Sequence, residues 1–169
     1  IKSTSNNRVG IIGTEGTVKS KMYEQLIHDK DNQVEVISLA CPKFVPLVES
    51  NEYRSAIAKK VVAETMKPLK NKQLDTLILG CTHYPLLRPI IQNVIGENVT
   101  LIDSGRETAA LCADQLKNND ALAERKGGNT QFFVSDQPEG FSQVAEIFLG
   151  ESVEHSVDRV RPDRIKETT

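Results

Sequence analysis

The chain predicts an α/β fold built on a doubly wound parallel sheet, and three observations predict it. Apolar strand-like runs alternate with helix-like stretches through the first hundred or so positions, and the connections between them are short. The run from Leu74 to Leu79 is a short apolar stretch of the kind buried in a parallel sheet. Gly80-Cys81-Thr82-His83 follows it directly, which puts a thiol, a hydroxyl and an imidazole where open α/β sheets bind ligands, outside the carboxyl end of a strand.

The chain has 169 residues and a formal net charge of -2, enough length for an ordinary domain with a real core. The near-neutral balance and the lack of a basic run argue against a nucleic-acid binder. No apolar stretch reaches membrane-spanning length, and no leader pattern is present. The cysteines, Cys41, Cys81 and Cys112, are few, odd in number and widely spaced, which fits a reducing cytoplasm better than a disulfide framework. The opening Ile1-Lys2-Ser3-Thr4-Ser5-Asn6-Asn7 has no Met and reads as a linker into a strand, so a fragment is expected.

Taken in order, the first strand is Arg8 to Ile12, followed by the turn Gly13-Thr14-Glu15-Gly16-Thr17. A helix is expected from about Val18 to His28, with Val18, Met22 and Leu26 on one face. The glycines do not have dinucleotide spacing, and no Gly-Lys-Ser/Thr triplet makes a phosphate loop. What remains is a helix N-terminus with two hydroxyls, Thr14 and Thr17, able to hold an anion or simply to cap the helix. Val34 to Leu39 is the second strand. The segment Ala40 to Pro46 is expected to be a loop pinned by Pro42 and Pro46, with Cys41 structural. Glu49, just beyond it, is either an exposed carboxylate or one leaning toward Cys81.

Glu52 to about Leu69 is expected to be a helix with Tyr53, Ile57 and Val61 as its stripe. Pro85 opens a further helix, with Leu86, Ile90 and Val94 on one side and Leu87, Ile91 and Ile95 beside them. Val99 to Ile102 is a strand, and Asp103-Ser104-Gly105 leads into a helix from Arg106 to Lys117. Asn118 to Asn129 reads as a surface loop, Gln131 to Val134 as a short strand, and Phe141 to Leu149 as a helix with Phe141, Val144, Ala145 and Phe148 inward. A last strand is expected at Val153 to Val157, and a charged, frayed tail from Arg159 to Thr169. Residues 106 to 169 hold too few elements to close a sheet alone, and look like the returning half of a second lobe.

At Cys81 several chemistries compete. A papain-like pair with His83 is disfavoured, because His83 is only two residues away and is expected to point elsewhere on a strand-like backbone. Zinc needs more ligands than Cys81 and His83, and no Cys-x-x-Cys pair supports redox chemistry. A thiolate that transfers a proton needs only one cysteine with polar neighbours. The bland reading is a buried structural cysteine with His83 as a satisfied neighbour.

Leu79-Gly80-Cys81-Thr82-His83-Tyr84-Pro85 resembles the second cysteine motif of the glutamate racemase family. Gly10 to Thr17, Ala40 to Glu49 and Leu101 to Gly105 resemble further segments of that family, in its order. The resemblance implies a cofactor-independent amino-acid racemase, without metal, flavin or pyridoxal phosphate. It would convert L-glutamate to D-glutamate for bacterial peptidoglycan in the cytoplasm. It implies two cysteines on opposite faces of the substrate's α-carbon, with Cys81 as one base. Thr82 and His83 match positions near substrate and thiol, Glu49 an acidic residue beside them, and Thr14 and Thr17 hydroxyls lining the cleft.

The family's fold is two flavodoxin-like lobes. The expected division is therefore residues 1–103 as the lobe carrying Cys81 and 104–169 as the returning part of the other. The family habit implies a homodimer acting on a small molecule, with no membrane or nucleic-acid partner. The family's first cysteine, in an Ala-Cys-Asn-Thr motif, has no counterpart here, since Cys41 and Cys112 lack those surroundings. One thiol returns a proton only to the face it came from, so this polypeptide alone is expected not to racemise glutamate. Aspartate racemase is the near alternative, and a non-catalytic binding or regulatory remnant is the alternative from another class.

Overall fold

A four-stranded parallel sheet in the order β2-β1-β3-β4 organises the larger part of the computed structural model, which describes residues 3–124, 127–153 and 156–161. The strands are β1 (Arg8–Gly13), β2 (Glu35–Ala40), β3 (Thr76–Leu79) and β4 (Thr100–Asp103). In register, Ile12 lies opposite Leu39 on one side and Leu79 on the other, and Leu79 lies opposite Asp103. All four carboxyl ends therefore emerge along one edge of the sheet. By internal contacts the chain divides into two compact units, residues 1–122 and 123–169.

Side chains alternate across the sheet. Val9 and Ile11 face one side, where they form a core with Ile27 and Val34, and with Tyr23, Val36 and Ile78 packed against it. Ile12, Leu77, Leu79 and Leu101 project to the other side and are buried. Gly10 sits in β1 because a Cβ there would approach Leu74 Cδ1 to 2.6 Å and Leu77 Cδ1 to 2.7 Å. Before β1 the chain is tied down by Asp75, whose carboxylate accepts from the backbone N–H groups of Ser5 at 2.6 Å and Asn6 at 2.9 Å. Burial would raise the Asp75 carboxyl, but these hydrogen bonds outweigh it and hold the group well below the usual carboxylate range.

The helix expected over 18–28 is two helices, α1 (Glu15–Ser20) and α2 (Met22–His28). Lys21 joins them in the left-handed region at φ 52°, which ends one helix and begins the next. The break rotates the second half, so Met22 and Leu26 are exposed and Ile27 is buried instead. The segment Ala40 to Pro46 is not all loop. Phe44–Glu49 forms a helix, α3, with Phe44 and Val48 buried. Pro46 is compatible with it because the first-turn N–H groups of a helix have no intrahelical partner.

The helix expected from Glu52 is shorter: α4 runs Ala56–Thr65, started by Ser55, whose side chain accepts from the Ala58 N–H. Its buried stripe is Ala58 and Val62, continued by Met66 and Leu69, while Ile57 is exposed. Tyr53 is buried ahead of the helix rather than as part of its stripe. A 3-10 turn (Tyr84–Leu87) precedes α5 (Arg88–Ile95), and Leu87 and Ile91 are buried. Gly96, at φ 103°, ends α5. Helix α6 (Ser104–Asn118) is capped by Asp103, whose carboxylate accepts from Gly105 N at 2.9 Å and Arg106 N at 3.2 Å, and it buries no residue.

The second unit holds the parallel pair β5 (Phe132–Val134) and β6 (Val157–Arg159), with α7 (Pro138–Leu149) between them in sequence. Strand β6 begins where the expected Val153 to Val157 strand was to end. Of the four residues expected inward on α7, Ala145 is buried and Val144 half-buried, while Phe141 and Phe148 are 36% and 42% exposed. Phe141 lies 5.5 Å from Phe132, ring centre to ring centre. Arg159 lies in β6, and residues 162–169 of the expected tail lie outside the described residues. Among the described residues no helix is long and apolar enough to cross a membrane.

Candidate active site at the strand ends

Gly80 ends β3 and donates its N–H to Ile12 O at 2.8 Å. A Cβ on Gly80 would stand 2.9 Å from Ile12 O, so only glycine lets the chain leave the sheet this close to β1. The chain then turns, with Tyr84 N donating to Cys81 O at 3.2 Å and His83 in helical conformation at φ -80° and ψ -26°. Cys81, Thr82 and His83 thus occupy a turn and not an extension of the strand. That corrects the expectation that the thiol and imidazole diverge. In the turn they converge, with Cys81 Sγ 4.0 Å from His83 Nδ1. Thr82 Oγ1 lies 3.3 Å from the same nitrogen.

The other ring nitrogen faces α3. His83 Nε2 is 3.3 Å from Glu49 Oε1, with the His83 side chain 23% exposed and that of Glu49 55% exposed. Glu49 reaches the imidazole from the end of a helix over residues 44–49, whose first turn lies within the expected Ala40 to Pro46 loop. A carboxylate at Nε2 favours the tautomer with the proton there, leaving Nδ1 to accept from a thiol or hydroxyl. Cys81, His83 and Glu49 therefore form a continuous thiol–imidazole–carboxylate line, partly open to solvent.

Cys41 differs from Cys81 in every respect. It is fully buried, and burial pushes its thiol up to about 12. Its Sγ lies 3.7 Å from Leu39 O, and its N–H donates to Gly13 O at 2.8 Å. Cys112 is exposed on α6.

Thr14 and Thr17 lie in the turn after β1, the strand beside β3. Thr14 Oγ1 accepts from Thr17 N at 3.2 Å and lies 3.0 Å from Thr17 Oγ1. Thr14 thus performs the capping role, and both side chains stay half-buried at the same edge of the sheet as Cys81.

Sequence reasoning passed over Tyr84. Its side chain is fully buried, its hydroxyl donates to Cys41 O at 3.0 Å, and its ring meets Phe44 edge-on at 5.2 Å. Burial, then the charges that Cys41 and Cys81 would carry as thiolates, push its phenol above the ordinary tyrosine range. Among the described residues no group of three or more His, Cys, Asp and Glu side chains is arranged to hold a metal ion.

The model of the Asp/Glu/hydantoin racemase family matches residues 1–112. A glutamate racemase from Carnobacterium sp. (strain St2) is 74% identical over 157 residues, covering 88% of this chain and 57% of that protein. Two solved structures are similar. A glutamate racemase from Bacillus anthracis superposes with a TM-score of 0.86 at 38% identity, over 95% of this chain and 60% of that one. A glutamate racemase from Francisella tularensis in complex with D-glutamate gives a TM-score of 0.79 at 32% identity, over 90% of this chain and 56% of that one. The chain thus spans a little over half the length of the relatives it matches.

Proposed function

The chain belongs to the Asp/Glu/hydantoin racemase family, and from that premise we propose that it forms one wall of an active site that racemises glutamate. Cys81 is one of two thiols that exchange a proton with the substrate's α-carbon. In one direction the Cys81 thiolate takes the α-proton and becomes a thiol. A second thiol delivers its own proton to the opposite face and becomes a thiolate, so charge and protons balance and the stereocentre inverts. The second thiol belongs to the part of the relatives' length that this chain does not span. The observation that carries the reading is the Cys81–His83–Glu49 line at the strand ends. In it, Glu49 orients His83 so that Nδ1 faces the sulfur and takes the thiol's proton, and the imidazolium so formed, paired with Glu49, stabilises the Cys81 thiolate.

Thr82, Thr14 and Thr17 offer hydroxyls to the substrate from the same edge of the sheet. Residues 1–103 are one racemase lobe and 104–169 the returning part of the other; α6 groups with the first unit by contacts, yet it leaves β4 without burying a side chain. Glutamate is favoured over aspartate by the names of the relatives and by the D-glutamate bound in the Francisella tularensis structure. The D-glutamate made would enter bacterial peptidoglycan in the cytoplasm, and the active form would be a homodimer.

The test uses a racemase of the relatives' full length that carries these residues, with L-glutamate in deuterated water. Racemisation is followed by circular dichroism and α-deuterium by mass spectrometry. Cys81→Ala is expected to abolish racemisation and Cys41→Ala to retain most of it. Wild-type turnover in Cys81→Ala would refute the assignment.

A further inference from the structure

The proposed relay depends on two elements that are far apart in sequence, and Tyr84 bonds one to the other. Glu49 ends α3, and His83 stands in the turn that follows β3. Tyr84 follows His83 directly in that turn and is fully buried. Resting on the function proposed above, we infer that Tyr84 is a positioning residue of the reaction. Its hydroxyl and ring fasten the helix that carries Glu49 to the turn that carries His83, and so set their 3.3 Å contact.

The geometry has two parts. First, Cys41 O accepts from both Phe44 N at 3.1 Å and the Tyr84 hydroxyl at 3.0 Å. The carbonyl of the turn that leads into α3 is thus held from the His83 side. The Cys41 peptide is in turn anchored to the sheet, because its N–H donates to Gly13 O at 2.8 Å. Second, the Tyr84 ring meets the Phe44 ring at 5.2 Å and 65°, an edge-to-face contact on the first residue of α3. With only six residues, α3 has little of its own to hold its direction, since most of its backbone groups are end groups. Glu49 lies five residues beyond Phe44, about 7.5 Å along the axis. A small tilt at the Phe44 end is therefore carried to the carboxylate. The Tyr84 hydroxyl is spent on Cys41 O and the ring on Phe44, so the inferred effect runs through Glu49, and coupling to Glu49 separates that route from the direct influence of Tyr84 on the Cys81 charge.

The experiment is a coupling measurement in the full-length racemase that carries these residues. Tyr84→Phe, Glu49→Gln and the double variant are compared for kcat, KM and Tm. Tyr84→Phe keeps the ring and removes only the hydroxyl. It is expected to lower kcat about tenfold and to leave KM within about twofold, since misplacing a catalytic group by a fraction of an ångström costs rate more than binding. In the double variant the Tyr84→Phe loss disappears, because the carboxylate it positions is already gone. Phe44→Leu, which trims the other half of the clamp, repeats the pattern should Tyr84→Phe fold poorly.

A loss that multiplies with that of Glu49→Gln overturns the inference, as does an unchanged kcat with a lowered Tm, the signature of a purely structural tyrosine. Should Glu49→Gln or Cys81→Ala keep full turnover, the functional reading fails and the inference with it. That result is distinct from a silent Tyr84→Phe in an enzyme that needs Glu49.

Discussion

Native-state alkylation separates the cysteines, and the structure supplies the size of the effect. Iodoacetamide reacts with thiolate, and Cys41 is fully buried with its thiol raised from the ordinary 9.0 to about 12. Each step of one in that value removes tenfold of the thiolate at any pH below both. The change from 9.0 to about 12 therefore leaves about a thousandfold less at pH 8. Occlusion by the protein slows the reaction further. The assay is a time course of alkylation at pH 8, read by peptide mass spectrometry, with a parallel course in strong urea. In urea the three cysteines are expected to react at similar rates. In the folded chain Cys112, exposed on α6, is modified early. Cys41 reacts about a thousandfold or more slower than in urea, at a rate set by rare opening of the fold. A native Cys41 rate within about tenfold of its urea rate would refute the argument from burial, and with it the exclusion of Cys41 as a proton-transfer group.

The remaining expectations are brief. In the full-length racemase, His83→Asn lowers kcat by roughly a hundredfold with little change in Tm if the imidazole serves the thiol, while a lowered Tm with unchanged kcat marks a structural histidine. Gly80→Ala sets a methyl 2.9 Å from the Ile12 carbonyl, and lost stability of about 1–3 kcal/mol should appear as a lower Tm in calorimetry. Asp75 contributes stability that is complete above its unfolded value of about 4 and is lost as pH falls below it, because its folded value is depressed. The Tm gap between wild type and Asp75→Asn should therefore narrow from roughly pH 5 to pH 2, and a constant gap would count against the hydrogen-bond account.

The strands were legible because burial on both faces leaves continuous apolar runs, as at Leu77 to Leu79, and because a glycine ends β3. The order of the elements followed from the same alternation. Helix faces were less legible. One left-handed residue, Lys21, moved the buried position from Leu26 to Ile27. At α4 the Ser55 cap fixes a start that apolar spacing alone placed too early, and the stripe follows Ala58 and Val62. Two prolines concealed α3, although Pro46 stands in its first turn, where a missing N–H costs nothing. The convergence of Cys81 with His83 was hidden for a different reason. Whether residues two apart meet depends on backbone dihedrals after the strand, which composition does not reveal. Nothing in the sequence marked Tyr84, since its partner is a backbone carbonyl forty-three residues earlier.

The strand order carries a consequence for how the chain comes to fold. Strand β1 is synthesised before the other three strands of its sheet but lies inside the sheet, bonded to β2 on one flank and to β3 on the other. Its second partner ends at Leu79, while β1 ends at Gly13. On a ribosome adding about 5–20 residues each second, that flank stays open for about 3–13 seconds after β1 is made. Through that interval the backbone N–H and C=O groups of Val9 to Ile12 on that flank stay unpaired between apolar side chains, able to pair with any other extended chain. Such a sheet forms slowly, because distant segments must meet before any contact rewards them. Folding yield should then depend on chain concentration more steeply than for a domain whose first strand is an edge strand.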